Sequence, residues 1–324
     1  MSAAERILAW LRDADVPVSG AELARRLGCS RTAVWKQVRA LRTRGWEIAG
    51  RPAAGYRLLG EPSGFDDPAL AAAIDGTWAR VVFHDVLDST QGAARALAEA
   101  GAAEGTVVVA DRQTRGRGRL GRDWHSPAGV NLYATVLLRP PLPPARVPQL
   151  ALVAGLAAAD AIAAETGAAA ALKWPNDVLV GGRKAAGILT EMQGEVERVR
   201  YVLVGMGVNL NQTTFPAALR DVATSVRLAT GRPVDRTRFT ARLLAALEAR
   251  YGRFLSGGLA SMRADWESLS CLQGRTVQVT AGDHVTGGRV CGIDDEGALL
   301  LEDSTGATRR VTAGEVTLRR EAGA

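Results

Sequence analysis

Apolar residues recur at helical spacing three times near the start of the chain: Ile7, Leu8 and Leu11; Leu23, Ala24 and Leu27; and Val34, Val38 and Leu41. Ser19-Gly20-Ala21-Glu22 has the composition of a capping box, Gly28 that of a helix stop, and Ser30 that of an N-cap for the third helix. Trp46-Glu47-Ile48 and Gly55-Tyr56-Arg57-Leu58 then read as two short strands around the Gly/Pro-bearing turn Gly50-Arg51-Pro52-Ala53-Ala54. Helix, tight turn, helix and hairpin together predict a winged helix-turn-helix over residues 1–60. Glu61-Pro62-Ser63-Gly64 and Asp66-Asp67-Pro68 carry no apolar period, so a linker is expected at about residues 60–67.

From 68 to 268 the pattern alternates between strand-type and helix-type runs. Strands are expected at Val81–Leu87, Thr106–Asp111, Asn131–Leu138, Val178–Val180, Ala185–Met192 and Tyr201–Asn209. Helices are expected from Thr90 to Ala100, Pro148 to Glu165 and Phe239 to Phe254. Several strand pairs are hairpin-like neighbours, so the α+β reading is a mixed-sheet α/β domain rather than a regular doubly wound one. Residues 271–320 change character: short strands at Thr276–Thr280, Gly287–Ile293, Ala298–Glu302 and Arg309–Thr312, separated by Gly/Asp turns, suggest a small β-barrel.

Charge sharpens this division. Residues 1–60 hold eleven Lys and Arg against five Asp and Glu, whereas the rest of the chain holds 29 of each, so the whole net charge of +6 lies in the first module. A basic module on a neutral body suggests a polyanionic partner. The third helix would present Arg31, Thr32, Trp35, Lys36 and Arg39 beside Ser30, side chains suited to phosphates and base edges; a helical protein-docking module with a solvated charged face is the alternative. Cys29, Cys271 and Cys291 lie far apart in no zinc or redox spacing, which reads as reduced thiols in a cytoplasmic protein. Residues 1–20 have no uninterrupted apolar run, so no signal peptide is expected, and Asp160 and Glu165 interrupt the Ala-rich stretch Ala151–Leu172, which therefore reads as a buried or amphipathic helix rather than a membrane span.

Four clusters in the central region carry candidate chemistry; neither a P-loop nor a GxGxxG that follows a strand and opens a helix is present. Asp88-Ser89-Thr90-Gln91 stands where a strand gives way to a helix, and its hydroxyls could cap that helix or bind a polar ligand. Gln113-Thr114-Arg115-Gly116-Arg117-Gly118-Arg119-Leu120-Gly121-Arg122-Asp123-Trp124 alternates residues that allow close backbone approach with residues that bind phosphate or carboxylate. Its place between two strands favours a ligand loop over a nucleic-acid tail, with Trp124 anchoring the far end. Lys173-Trp174-Pro175-Asn176-Asp177 forms a turn whose Asp177 could hold Mg²⁺ or a basic partner. Gly181-Gly182 then turns the chain so that Lys184, one of only three lysines with Lys36 and Lys173, opens a strand either as an electrostatic catalyst or as a surface side chain. In Gly205-Met206-Gly207-Val208-Asn209, glycines let a ligand approach the strand, and the Asn209 amide can both donate and accept, as an adenine edge requires.

In this order these strings resemble the biotin–protein ligase family, and with the leading helix-turn-helix they are similar to its bifunctional, repressor-type branch. The resemblance implies a class II synthetase-like central domain at 68–268 and an SH3-like β-barrel at 271–320. It implies that biotin is activated by MgATP to biotinyl-AMP and passed to a lysine of a biotin carboxyl carrier protein. It further implies that Ser89, Thr90, Gln91, Gln113, Arg117, Gly118, Arg119, Lys184, Gly187 and Leu189 bind biotin, with Lys184 and Arg119 catalytic. Arg119, Trp124, Asn176, Asn209 and Arg319 would bind ATP, and Asp177 would serve the metal. Operator DNA and a homodimer of the adenylate-bound form are the further implied partners. Two readings compete: a biotin-sensing transcription factor without ligase activity, and a lipoate–protein ligase, against which the Gly-Arg loop and the helix-turn-helix both argue.

Overall fold

The structure, a computed structural model, describes residues 2–318 apart from 15, 44–45, 52–54, 61–64, 66–69, 71–77, 79 and 196. The expected wing turn Pro52-Ala53-Ala54, most of the linker and Arg319 lie outside the described residues.

Helices α1 (Ala3–Arg12), α2 (Gly20–Leu27) and α3 (Arg31–Thr43) bury the apolar positions that the period singles out except Leu27, which is half-buried against them, with Ile48 added from the strand that follows. The Ser19 hydroxyl accepts from the Glu22 amide at 3.1 Å, but the second half of the expected capping box is not made. The Glu22 carboxylate turns instead to Arg25 and Arg26, at 2.5 and 2.6 Å, because two cations one turn on compete better than a single backbone N–H. The box that is complete belongs to Ser2 and Glu5. Gly28 ends α2 in the left-handed conformation at φ 67°, and the Ser30 hydroxyl accepts from the Ala33 amide at 3.2 Å. Strands β1 (Glu47–Arg51) and β2 (Gly55–Gly60) pair as an antiparallel hairpin, pinned back to the α1–α2 connection by reciprocal backbone bonds between Val18 and Tyr56.

The central body is one seven-stranded sheet in the order β3-β4-β5-β9-β8-β7-β6. Its strands are β3 (Arg80–Leu87), β4 (Thr106–Gln113), β5 (Leu132–Leu138), β6 (Ala170–Lys173), β7 (Asp177–Val180), β8 (Arg183–Gly194) and β9 (Val199–Val208). Only β3 and β4 run parallel, joined by the crossover helix α4 (Thr90–Glu99); every other neighbour is antiparallel, as a mixed sheet requires. Alternation sends Val108, Leu137 and Leu203 to the α4 face, and Val107, Val109, Val136 and Val204 to the face covered by α5 (Gln149–Thr166) and α7 (Arg236–Gly257); the short α6 (Val226–Thr230) lies between them in sequence. Helix α5 is apolar on every side and long enough to cross a membrane by length and composition, but it is buried between this sheet and α7. The Ala-rich stretch is not one helix to Leu172: Gly167 ends it at φ 71°, and Ala170–Lys173 becomes β6, a strand too short for its period to register.

After α8 (Arg263–Leu269) come β10 (Thr276–Ala281), β11 (His284–Ile293), β12 (Leu299–Glu302), β13 (Thr308–Val311) and β14 (Glu315–Leu318), antiparallel in the order β13-β12-β11-β10-β14. Their inner residues Val279, Val290, Leu299 and Val316 belong to the same apolar core as α5. The Trp174 indole donates to Gly297 O at 3.0 Å, and Gly297, at φ 83°, has no room for a side chain beside Leu152 and Leu259. The last module is therefore tied directly to the 173–177 turn of the central domain.

Candidate functional site

A cavity of about 590 Å³ opens on the sheet at the ends of β4, β8 and β9, and all the expected biotin- and nucleotide-binding residues that are described line it. Each wall has a local cause. At the first, Ser89 begins α4 without a side-chain cap bond, so the capping reading of this cluster fails. Gln113 does that work: its Oε1 accepts from the Thr90 amide at 2.8 Å and from the Thr90 hydroxyl at 3.2 Å, while its Nε2 donates to Ser126 Oγ at 3.0 Å. Thr135 donates to Thr90 Oγ1 at 2.8 Å from the neighbouring strand. Gln91 donates to Leu189 O at 2.8 Å, which leaves its Oε1 buried with no partner among the described residues. A buried acceptor without a partner costs about 1–3 kcal/mol, so this atom is a candidate contact for a ligand N–H.

The Gly-Arg loop lies at the cavity wall. A Cβ at Gly116 would lie 2.4 Å from Trp124 O and 2.6 Å from Ser126 Oγ, so the closure of the loop on itself requires glycine there. Gly118 N donates to Arg122 O at 2.6 Å and Trp124 N to Gly116 O at 2.9 Å. Leu120, at the exposed tip, is held at φ 55°, a conformation in which an L residue is strained. Outside the cavity, Arg115 pairs with Asp88 and holds that carboxyl below its ordinary range. Arg119 donates to Asn176 Oδ1 at 3.0 Å, and Arg122 reaches across to Glu315 of β14 at 2.6 Å.

The 173–177 turn, whose Trp174–Pro175 peptide is cis, grips a second cation of the site as well. Lys184 Nζ lies 2.6 Å from Asp177 Oδ1 and 5.3 Å from the centre of the Trp124 ring. Two features deliver it there: Gly181 and Gly182, both at positive φ, turn the chain into β8, and an irregularity in the β7–β8 register sets Lys184 opposite Leu179 and Ala186 opposite Val178. The backbone at Lys184 also bonds Val222 O and Thr224 N, both at 2.9 Å, so the 219–224 segment joins the wall. Trp124 packs against β8 and β9: Cβ atoms at Gly187 and Gly207 would come within 2.9 and 2.5 Å of its ring. Gly187 of β8 and Gly207 of β9 thus admit a tryptophan, and its Nε1 is buried without a partner among the described residues.

Arg117, Arg119, Arg122, Lys173 and Lys184 therefore surround one cavity, against Asp123, Asp177, Asp221 and Glu315. Burial lowers the pKa of His125, which adds no charge at neutral pH. Cations so placed can face anionic groups brought together in the cavity. Asn209 lines the cavity, but its amide donates to Thr224 O at 3.0 Å and its Oδ1 is 3.5 Å from Asn131 Nδ2. It shapes the wall through this network, and reading an adenine edge would require those bonds to be exchanged. Among the described residues no group of three or more His, Cys, Asp or Glu is placed to hold a metal.

Several participants escaped the sequence reading. Asn131 is fully buried: it donates to Gln212 at 2.8 Å, and its Oδ1 accepts from Leu210 N at 3.0 Å. Arg236 is equally buried, donating to Asn131 O at 3.0 Å and to Asp111 at 2.7 Å; burial lowers its pKa while Asp111 opposes the shift. The available signal for Asn131 was an amide opening an otherwise apolar strand; Arg236 had none in so arginine-rich a chain. Cys271, Glu315 and Leu318 bring the C-terminal region into the lining. On α3, Arg31, Thr32, Trp35, Lys36 and Arg39 are all exposed beside Ser30, as the helical period required.

Residues 83–209 match the biotin/lipoate A/B protein ligase family, residues 4–57 an HTH domain, and residues 273–319 the biotin protein ligase C-terminal domain. The chain is 40% identical over 300 residues to the bifunctional ligase/repressor BirA of Bacillus subtilis, covering 91% of this chain and 92% of that one. It is 32% identical over 302 residues to the Escherichia coli protein of the same name, covering 93% and 92%. Among solved structures, a biotin protein ligase from Aquifex aeolicus in complex with biotin and ATP superposes with a TM-score of 0.66 at 32% identity, covering 75% of this chain and all of that one. A mixed-sheet ligase fold with a helix-turn-helix in front is thus the class that architecture and likeness define together. Within it, the chain belongs to the biotin protein ligase family, among the bifunctional ligase/repressor proteins.

Proposed function

We propose that this protein activates biotin with ATP to biotinyl-AMP, transfers the biotinyl group to a lysine of a biotin carboxyl carrier protein, and represses transcription through its helix-turn-helix. The observation that carries the ligase reading is the gathering of Arg117, Arg119, Arg122 and Lys184 around a cavity whose inner end is polar and uncharged. In the first step a biotin carboxylate oxygen bonds to the α-phosphorus of ATP as the bond to the pyrophosphate oxygen breaks. In the second, the acceptor amine bonds to the acyl carbon, AMP leaves with the bridging oxygen, and the amine loses a proton.

Each wall has a part in this scheme. Ser89, Thr90, Gln91 and Gln113 take the uncharged ring end of biotin, with Gly187 and Leu189 beside its chain. Lys184 meets the carboxylate and the α-phosphate and offsets their mutual repulsion. Arg117, Gly118 and Arg119 cover the adenylate and keep water from it. Trp124, Asn176 and Asn209 flank the nucleotide, and Arg319 is assigned to it from the family resemblance alone. Mg²⁺ would supply further positive charge toward the triphosphate, and Asp177 is the side chain that would serve it, on parting from Lys184, which it holds at 2.6 Å. Ser30, Arg31, Thr32, Trp35, Lys36 and Arg39 are assigned to operator DNA, with the β1–β2 hairpin as the wing. The C-terminal sheet is assigned as an SH3-like barrel, the active species as a cytoplasmic homodimer, and its operator as palindromic. Incubation with biotin, MgATP and a biotin carboxyl carrier domain should label one acceptor lysine in an avidin blot and by peptide mapping; an unlabelled acceptor would overturn the ligase reading.

A further inference from the structure

The core-facing side of α3 is complete without Trp35: Val34, Val38 and Leu41 are buried at 0–1% exposure, whereas Trp35 is 48% exposed. It stands between Arg31 and Arg39 in an i, i+4, i+8 row, with Lys36 beside it, all exposed. The Arg39 guanidinium lies 5.4 Å from the centre of the Trp35 ring. A tryptophan in water on a cationic face adds little to folding. Held against one side by an arginine, it is a flat apolar surface with few rotamers to lose on binding.

From this geometry we infer that Trp35 is a base-reading residue, and that the base it reads is thymine. The inference rests on the DNA-binding reading of α3. The row of cations selects a polyanion, and a helix of this size fits the major groove, where phosphates, donors and acceptors are polar throughout. The one apolar group that the groove offers is the thymine C5-methyl, and an indole face is suited to cover it. Arg31, Lys36 and Arg39 position the helix on the backbone and supply affinity; Trp35 supplies discrimination at one position of each half-site.

The test uses the full chain with biotin and MgATP, selects bound duplexes from a random-sequence library, and measures anisotropy with a selected duplex and its counterpart carrying deoxyuridine for thymine. Wild type should bind the deoxyuridine duplex about fourfold more weakly per half-site, the fold-change that corresponds to ~0.8 kcal/mol for one buried methyl-sized group. Trp35→Ala should bind both duplexes equally; because the side chain is outside the core, circular dichroism and Tm should match wild type. Trp35→Phe, which keeps an apolar face and loses the N–H, should retain the preference. Equal binding of the two duplexes by wild type would overturn the inference while leaving DNA binding intact. So would a uniform loss in Trp35→Phe, because the indole N–H would then be contacting a phosphate. If no sequence is enriched at all, the DNA-binding reading falls and this inference with it.

Discussion

Lys184→Met separates a catalytic cation from a merely structural one, because the two roles predict effects of different size. The Lys184–Asp177 pair is short, at 2.6 Å, but the side chains keep 32% and 22% exposure. An ion pair in contact with water contributes about 0–1 kcal/mol to stability. Methionine preserves much of the apolar stem against Trp124, so the expected stability loss is about 1 kcal/mol, or a Tm shift of about 2–4 °C for a domain of this size. In the reaction, Lys184 would face charge that develops where carboxylate and phosphate meet. Losing one preorganised donor from such a site costs about 10²–10³-fold in rate, or about 2.7–4 kcal/mol. The assay is single-turnover formation of biotinyl-AMP by quench-flow, with Tm measured in parallel. Asp177→Asn serves as the control: it removes the pair but keeps the amine, so its rate should fall less than tenfold. Adenylate formation by Lys184→Met within tenfold of wild type, or equal losses in the two variants, would refute the assignment.

Three other perturbations follow from the same geometry. Arg119→Gly removes the bond to Asn176 and a charge-assisted contact worth about 1.5–3 kcal/mol, so biotinyl-AMP should escape roughly 10–100-fold faster and label bystander proteins; unchanged retention measured by filter binding would contradict this. Gly207→Ala places a Cβ 2.5 Å from the Trp124 indole and should cost about 1–3 kcal/mol in thermal or denaturant unfolding, recovered in the Gly207→Ala, Trp124→Ala double variant; additive losses would show that the two do not touch. Burial raises the Cys271 thiol above its ordinary value, and the thiolate is the reactive form. Iodoacetamide should therefore modify it more slowly at pH 8 than the exposed Cys29 and Cys291, with its rate still climbing above the usual thiol range and falling when biotin and ATP are bound; equal rates by peptide mapping would contradict its placement in the wall.

The strong periods carried the fold. Three amphipathic helices, long β-branched runs such as Thr106–Asp111 and the Gly-Gly turn before Lys184 specify their own conformations, and all appear as the pattern required. Short elements did not register: β6 has four residues, β14 is four residues among charged neighbours, and α8 follows a glycine-rich break. In the site, sequence order brought out residues that meet in space, but not what each one holds. No spacing could show that Gln113 caps α4 or that Asn176 grips Arg119, and of the two partners the sequence offered Asp177, a metal or a base, only the structure picks Lys184. These pairings depend on long-range closure of the sheet, and the buried Asn131–Arg236–Asp111 network depends on it entirely.

The central claim concerns acyl-adenylation, and isotope exchange tests it without an acceptor or an operator. Purified protein is incubated with MgATP and labelled pyrophosphate, with biotin or lipoate added in turn. The account predicts label entering ATP only when biotin is present, and loss of that exchange in Lys184→Met. Exchange that depends on lipoate, or no exchange with either acid, would contradict it.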